Sequence, residues 1–264
     1  MVNYFGESRS DKNRKGWEYM EGAFTVNFTR LEGIPLVEIY SQEQESKDIV
    51  IGYHGYQLNK EALIKQGLIY AASGFHVFLP DAPLHGDRQV DPFPDSSISI
   101  MPGIIVQSFA EFPKLLTAIQ ERQAVDRVFV YGASMGGIMA AMIGTAYAET
   151  LSGLAIHIAG INLADQLQRI YGDRYPEKLG SEALKIILEN SPTAHPDQFL
   201  SQPVFVYNGG SDDAEILEFN QRDIQQLKAD FPQARLEWMV LDEVGHRVSS
   251  QISRQTAAFF QSSF

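Results

Sequence analysis

Cysteine is absent from the 264 residues. That excludes disulfides, thiolate metal sites and a cysteine nucleophile. Long apolar runs are missing as well: the longest, Leu151 to Ile161, is interrupted by His157 and falls short of a bilayer span. The first residues, Met1 to Lys15, mix charges of both signs and lack the apolar core of a secretory signal. Basic residues are scarce, with 21 Lys and Arg against 33 Asp and Glu and a net charge of −12. Such a field repels polyanions, so neither nucleic acid nor a membrane surface is an expected partner. No repeat and no low-complexity segment interrupts the chain. These absences lead to the expectation of a cytoplasmic protein; they leave its oligomeric state open.

What is present is a globular composition, 44% hydrophobic and 20% charged, enough for one large core over residues 1–264. Apolar and polar residues alternate from Ala23 to Leu31 and from Pro35 to Tyr40 around a Glu32-Gly33-Ile34 turn, which predicts an antiparallel hairpin. Buried strands are expected at Asp48 to Tyr53, Phe75 to Leu79, Val128 to Ala133, Leu151 to Ile158, Val204 to Asn208 and Arg235 to Leu241. Helices are expected from an Asn59 cap through Ala72, from Gly103 to Gln123 with a kink at Pro113, after Ser134, from Ala214 to Asp230 and from Arg247 to Gln261. Pro92 to Pro102 reads as irregular. Strands alternating with helices predict an α/β fold, a mostly parallel sheet covered on both faces with the hairpin as its antiparallel edge. Residues 162–201 break the alternation. Leu163, Leu167, Ile170 and Tyr171 share one helical face, and a second helical pattern spans Leu184 to Leu188. A small helical lid over the carboxyl ends of the strands is the expected use, since open sheets of this kind hold their ligand crevice there.

One pentapeptide carries chemistry. Gly132-Ala133-Ser134-Met135-Gly136 follows a strand and precedes a small-residue helix, and a serine on such a turn is lifted clear of the sheet. A serine hydroxyl needs a base, and the base needs an orienting acid. Of six histidines, His76 and His157 lie inside strands and read as core; His195 lies in an exposed loop. His246 follows the last strand, at its carboxyl end, and is the expected base. The strand Val204 to Asn208 runs into Gly209-Gly210-Ser211-Asp212-Asp213, which offers two carboxylates. Asp212 is preferred, while Asp213 stands as the alternative acid or as a helix cap. Two backbone N–H groups are expected to receive an oxyanion, Met135 after the nucleophile and Tyr56 in His54-Gly55-Tyr56, with His54 bracing that loop.

These elements in this order resemble the α/β-hydrolase fold. His54-Gly55-Tyr56 with Lys60-Glu61, the segment Leu79 to Arg88 (Asp81, His85-Gly86-Asp87-Arg88) and the Gly132 to Gly137 elbow are similar to small bacterial serine esterases of the dienelactone-hydrolase and prolyl-oligopeptidase-like group. The likeness covers Ile49 to Ala148 and Pro203 to Ser249. It departs at Asn208, where that group carries a histidine, and it does not extend to the lid. The resemblance implies a serine hydrolase, a carboxylesterase of small neutral esters acting through an acyl-enzyme on Ser134, with no metal or organic cofactor. A peptidase or amidase, a thioesterase or acyltransferase using the same three residues, and a non-catalytic binder of small molecules are the alternatives.

Overall fold

A computed structural model describes residues 22–90, 98–172 and 181–263. The expectations for Met1 to Lys15, for residues 91–97 and for residues 173–180 of the lid fall outside these residues. The hairpin forms from β1 (Phe24–Leu31) and β2 (Ile34–Ser41), followed by β3 (Asp48–Tyr53), β4 (His76–Pro80), β5 (Arg127–Ala133), β6 (Gly153–His157), β7 (Val204–Gly209) and β8 (Leu236–Leu241). They make one eight-stranded sheet in the order β1-β2-β4-β3-β5-β6-β7-β8. β1, β2 and β4 pair antiparallel, and every pair from β4 through β3 to β8 is parallel. The inner strands are buried on both faces because both are covered, so β3, β5 and β7 are built mostly of apolar residues.

Two separate cores fill the two faces. On one side α2 (Met101–Arg122) and α3 (Met135–Ala146) pack against Ile49, Ile51, Val130 and Ile156. On the other, α1 (Ile64–Ala72) and α8 (Ser250–Gln261) cover Val50, Val77, Phe129 and Tyr207. Asn59 caps the first of these helical segments, its side chain accepting the Ala62 N–H across a 3-10 turn, Lys60–Leu63, that leads into α1. Ser249 caps α8, so this helix begins three residues later than its apolar pattern alone indicates. Pro102, expected in an irregular stretch, sits in the first turn of α2 instead. The reason is local: the first N–H groups of a helix have no intrahelical acceptor, so a proline there sacrifices nothing. Pro113 lies within α2.

Between β6 and β7 run α4 (Leu163–Tyr171), α5 (Ser181–Glu189) and α6 (Pro196–Phe199). Ile187 and Phe199 are fully buried in the α2–α3 core, which anchors the second half of the insertion. α7 (Ala214–Asp230) then connects β7 to β8. Among the described residues, no helix is long and apolar enough to cross a membrane.

Candidate active site

Ser134 lies between β5 and α3 with φ 57° and ψ −118°, a positive φ that residues with a side chain rarely adopt. Such a backbone costs on the order of 1–3 kcal/mol and persists only where its surroundings dictate it. Here the surroundings are tight. The Ser134 N–H donates to the His157 carbonyl at 3.0 Å, and the Ser134 carbonyl accepts the Gly137 and Ile138 N–H groups at 2.8 and 3.1 Å. A Cβ on Gly132 would fall on the Gly136 carbonyl, and one on Gly136 would fall on the Tyr53 carbonyl. Two glycines are therefore required by close approach of backbone to backbone. Met135 opens α3, so its N–H belongs to the helix end that carries partial positive charge.

Asp212 and His246 meet across the loops that follow β7 and β8. His246 Nδ1 lies 3.0 and 2.9 Å from the two carboxylate oxygens of Asp212. An ionised carboxylate only accepts, so Nδ1 carries the proton and Nε2 holds the free lone pair. Asp213 is engaged elsewhere: it accepts the Glu215 and Ile216 N–H groups as cap of α7 and pairs with Arg169 of α4. The two adjacent carboxylates thus have different partners, His246 for Asp212 and the α7 N-terminus with Arg169 for Asp213. The turns are held by the Gly210 N–H on the Leu241 carbonyl, 2.7 Å, and the Ser211 N–H on the Val244 carbonyl, 2.9 Å.

Asn208, the position that departs from the resembling esterases, is buried and knits this region together. Its Oδ1 accepts from Asn220 Nδ2 at 2.9 Å and from Trp238 Nε1 at 3.1 Å, and Asn220 also receives the Ile161 N–H. Asn220 sits mid-helix in α7 with no local motif around it, and nothing in the sequence singles it out.

The loop after β3 is braced from the loop after β4. His54 Nδ1 donates to the Gly55 carbonyl at 2.8 Å, which leaves Nε2 to accept the Ala82 N–H at 3.0 Å. Burial is the main cause pushing the His54 pKa down to about 4, so the ring stays neutral. His85 repeats the arrangement, donating from Nδ1 to the Pro83 carbonyl at 2.8 Å and accepting the Gln57 N–H on Nε2 at 3.0 Å. Its ring stands edge-on to Tyr56, 5.5 Å between centres. Below them the buried Lys60 ammonium donates to Asp81 at 2.7 Å and to Asp87 at 3.0 Å, while the Lys60 and Asp87 backbone N–H groups also bond Asp81. Burial opposes the lysine charge, yet the hydrogen bonds it donates to Asp81, Glu61 and Asp87 outweigh it and raise the pKa.

Ser134, Met135, Tyr56, Asp212 and His246 all line one cleft of about 370 Å³. All five residues selected from the sequence are brought together. The remaining wall is largely apolar, from Ile98, Met101, Ile138, Ile158, Ile170 and Ile216, and α4 contributes Gln166 and Arg169. The Tyr171 hydroxyl ties α4 to the far side by donating to the Ile98 carbonyl at 2.7 Å. Among the described residues no group of three or more His, Cys, Asp or Glu is arranged to hold a metal ion.

A mostly parallel sheet of this order, with a serine elbow after β5 and an Asp–His pair on the loops after β7 and β8, defines the α/β-hydrolase class. The chain belongs to the family described as serine aminopeptidase, S33, whose model matches residues 44–246. It is accordingly a hydrolase. Among curated proteins it is similar to the esterase YjfP of Escherichia coli (strain K12), 26% identical over 89% of this chain and 98% of that one. Among solved structures it is similar to TT1662 from Thermus thermophilus, with a TM-score of 0.74 and 19% identity over 91% of this chain and 98% of that one. It is also similar to the Pyrococcus furiosus esterase PF2001, with a TM-score of 0.63 and 16% identity over 97% and 98% of the two chains. At these identities the two structures speak for the fold.

Proposed function

We propose that the protein is a serine carboxylesterase that hydrolyses small, neutral, largely apolar esters through an acyl-enzyme on Ser134. The observation that carries this reading is the Asp212 carboxylate on His246 Nδ1 at 2.9–3.0 Å, in the cleft that also holds the strained Ser134. The esterase name of the E. coli relative supports it. In this reading His246 Nε2 takes the Ser134 hydroxyl proton as Oγ attacks the ester carbonyl. The Met135 and Tyr56 N–H groups stabilise the oxyanion, and the imidazolium, stabilised by Asp212, returns the proton to the departing alcohol. Water then attacks the acyl carbonyl; His246 takes a proton from it and delivers that proton to Ser134 Oγ as the acid leaves. No step calls for a metal or an organic cofactor. α4 forms the lid of the cleft.

An aminopeptidase would have to receive an α-ammonium group, normally on a carboxylate. Among the described residues, each carboxylate that lines this cleft is already engaged, Asp212 by His246 and Asp213 by the α7 N-terminus and Arg169. That favours an ester. Labelling by a fluorophosphonate, read as intact mass, tests the reading: one adduct on the wild type and none on Ser134→Ala is expected. A folded wild type that takes no adduct and leaves p-nitrophenyl butyrate intact would overturn it.

A further inference from the structure

Gln166 is a polar side chain of the cleft that the proposed mechanism does not use. It is only 6% exposed, on the first turns of α4, and lines the cleft beside Ile158 and Ile170. Its Oε1 accepts the Gly160 N–H at 2.7 Å. A backbone N–H can only donate, so this bond dictates which end of the amide is oxygen and turns the NH₂ the other way. That nitrogen is neither bonded to protein among the described residues nor sealed in the interior. Beside Ile158 and Ile170, in a cleft whose wall away from Ser134, Asp212 and His246 is largely apolar, an oriented donor is the kind of polar group that fixes a ligand's orientation.

Charge narrows what it would meet. The nearby Arg169 is already paired with Asp213 and Glu215, at 3.2 and 2.8 Å, and Asp212 adds a further negative charge to the cleft. A carboxylate on the substrate would face that excess, whereas a neutral oxygen would not. We infer that Gln166 Nε2 receives a second, neutral oxygen acceptor of the substrate, so that the preferred substrates are esters carrying an additional ketone or ester carbonyl. This rests on the esterase reading for the identity of the scissile bond.

The test uses p-nitrophenyl esters of linear acids with a ketone at the third, fourth or fifth carbon, the plain alkanoates of equal length, and the hemiglutarate. Binding is measured on Ser134→Ala, which leaves the esters intact, with and without Gln166→Glu. The glutamate keeps the acceptor for Gly160 but replaces the donor by an acceptor. The best oxo ester should bind roughly tenfold tighter than its alkanoate, the value of about one hydrogen bond. Gln166→Glu should bring that ratio to one or below, and the hemiglutarate should bind no better than the alkanoate. A ratio of one without Gln166→Glu, a ratio that Gln166→Glu leaves unchanged, or tightest binding of the hemiglutarate would each overturn the inference. Wild-type turnover of the plain alkanoates is read separately. A tenfold binding preference with no turnover would sink the esterase reading and leave the subsite standing.

Discussion

The two sides of the cleft are built differently. The β3 and β4 loops are locked from below: His54, Lys60, Asp81 and His85 are all buried; His54, Asp81 and His85 each bond backbone of the neighbouring loop or their own, and the Lys60 ammonium bonds Asp81. The β7 and β8 loops face outward. The His246 side chain is 54% exposed and is held by Asp212, while α4 and α7 are joined at the surface by Arg169–Asp213 and Arg222–Asp165. The contrast follows from what each side is asked to do in the proposed mechanism. Backbone donors act only if they are already in place when charge develops, so that side cannot afford to relax. A base that exchanges protons with water and with a leaving group needs access.

The largest effect should separate two neighbouring carboxylates. Asp212→Asn is expected to lower kcat for p-nitrophenyl butyrate by about 10³- to 10⁴-fold while leaving the melting temperature near wild type, because the amide no longer selects the required tautomer of His246. Equal losses from Asp212→Asn and Asp213→Asn would break the division of roles drawn above.

Next in size is the buried cation. Lys60→Met strands Asp81 in the interior without its charge partner and should cost about 3–5 kcal/mol in urea unfolding. A cost below about 1 kcal/mol would erase the distinction between the locked and the open side. Acid should reveal the same asymmetry. The pKa of His54 is pushed down to about 4 and that of His157 to about 3, both by burial. Each ring binds its proton more readily in the unfolded chain, where the pKa is about 6.5. Their contribution to stability is therefore complete above pH 6.5 and is lost progressively as pH falls, down to about 4 for His54 and about 3 for His157. Between pH 6.5 and 5 each should add a slope of up to about 1.4 kcal/mol per pH unit, and His157→Gln should remove one share of it. An unchanged slope in that variant would show that His157 is charged when folded.

The smallest effects belong to the surface. Arg222→Ala on the open side should cost less than about 1 kcal/mol, and less still in high salt, since exposed pairs are screened. Asp213→Asn should cost no more than about 1 kcal/mol, because asparagine also caps a helix; a larger loss would mean that its pairing with Arg169 holds α4 in place.

The succession of strands and helices, the serine elbow, and the chain order of the serine, carboxylate and histidine that meet in the cleft were all legible along the chain. These depend on alternation, caps and glycine turns, that is, on residues within a few positions of one another. The sequence did not decide between Asp212 and Asp213, because neighbours on a turn point in different directions and only the fold shows which one His246 meets. It quoted Lys60 as a motif without a task, since its main partner lies 21 residues on, at Asp81, on another loop. It passed over Gln166 and Asn220 altogether. Both look like ordinary polar helix positions until Gly160, Asn208 and Ala159 are brought against them. Periodicity is local and can be read along the chain. The partner of a buried polar group is chosen through space, and it becomes visible once the chain is folded.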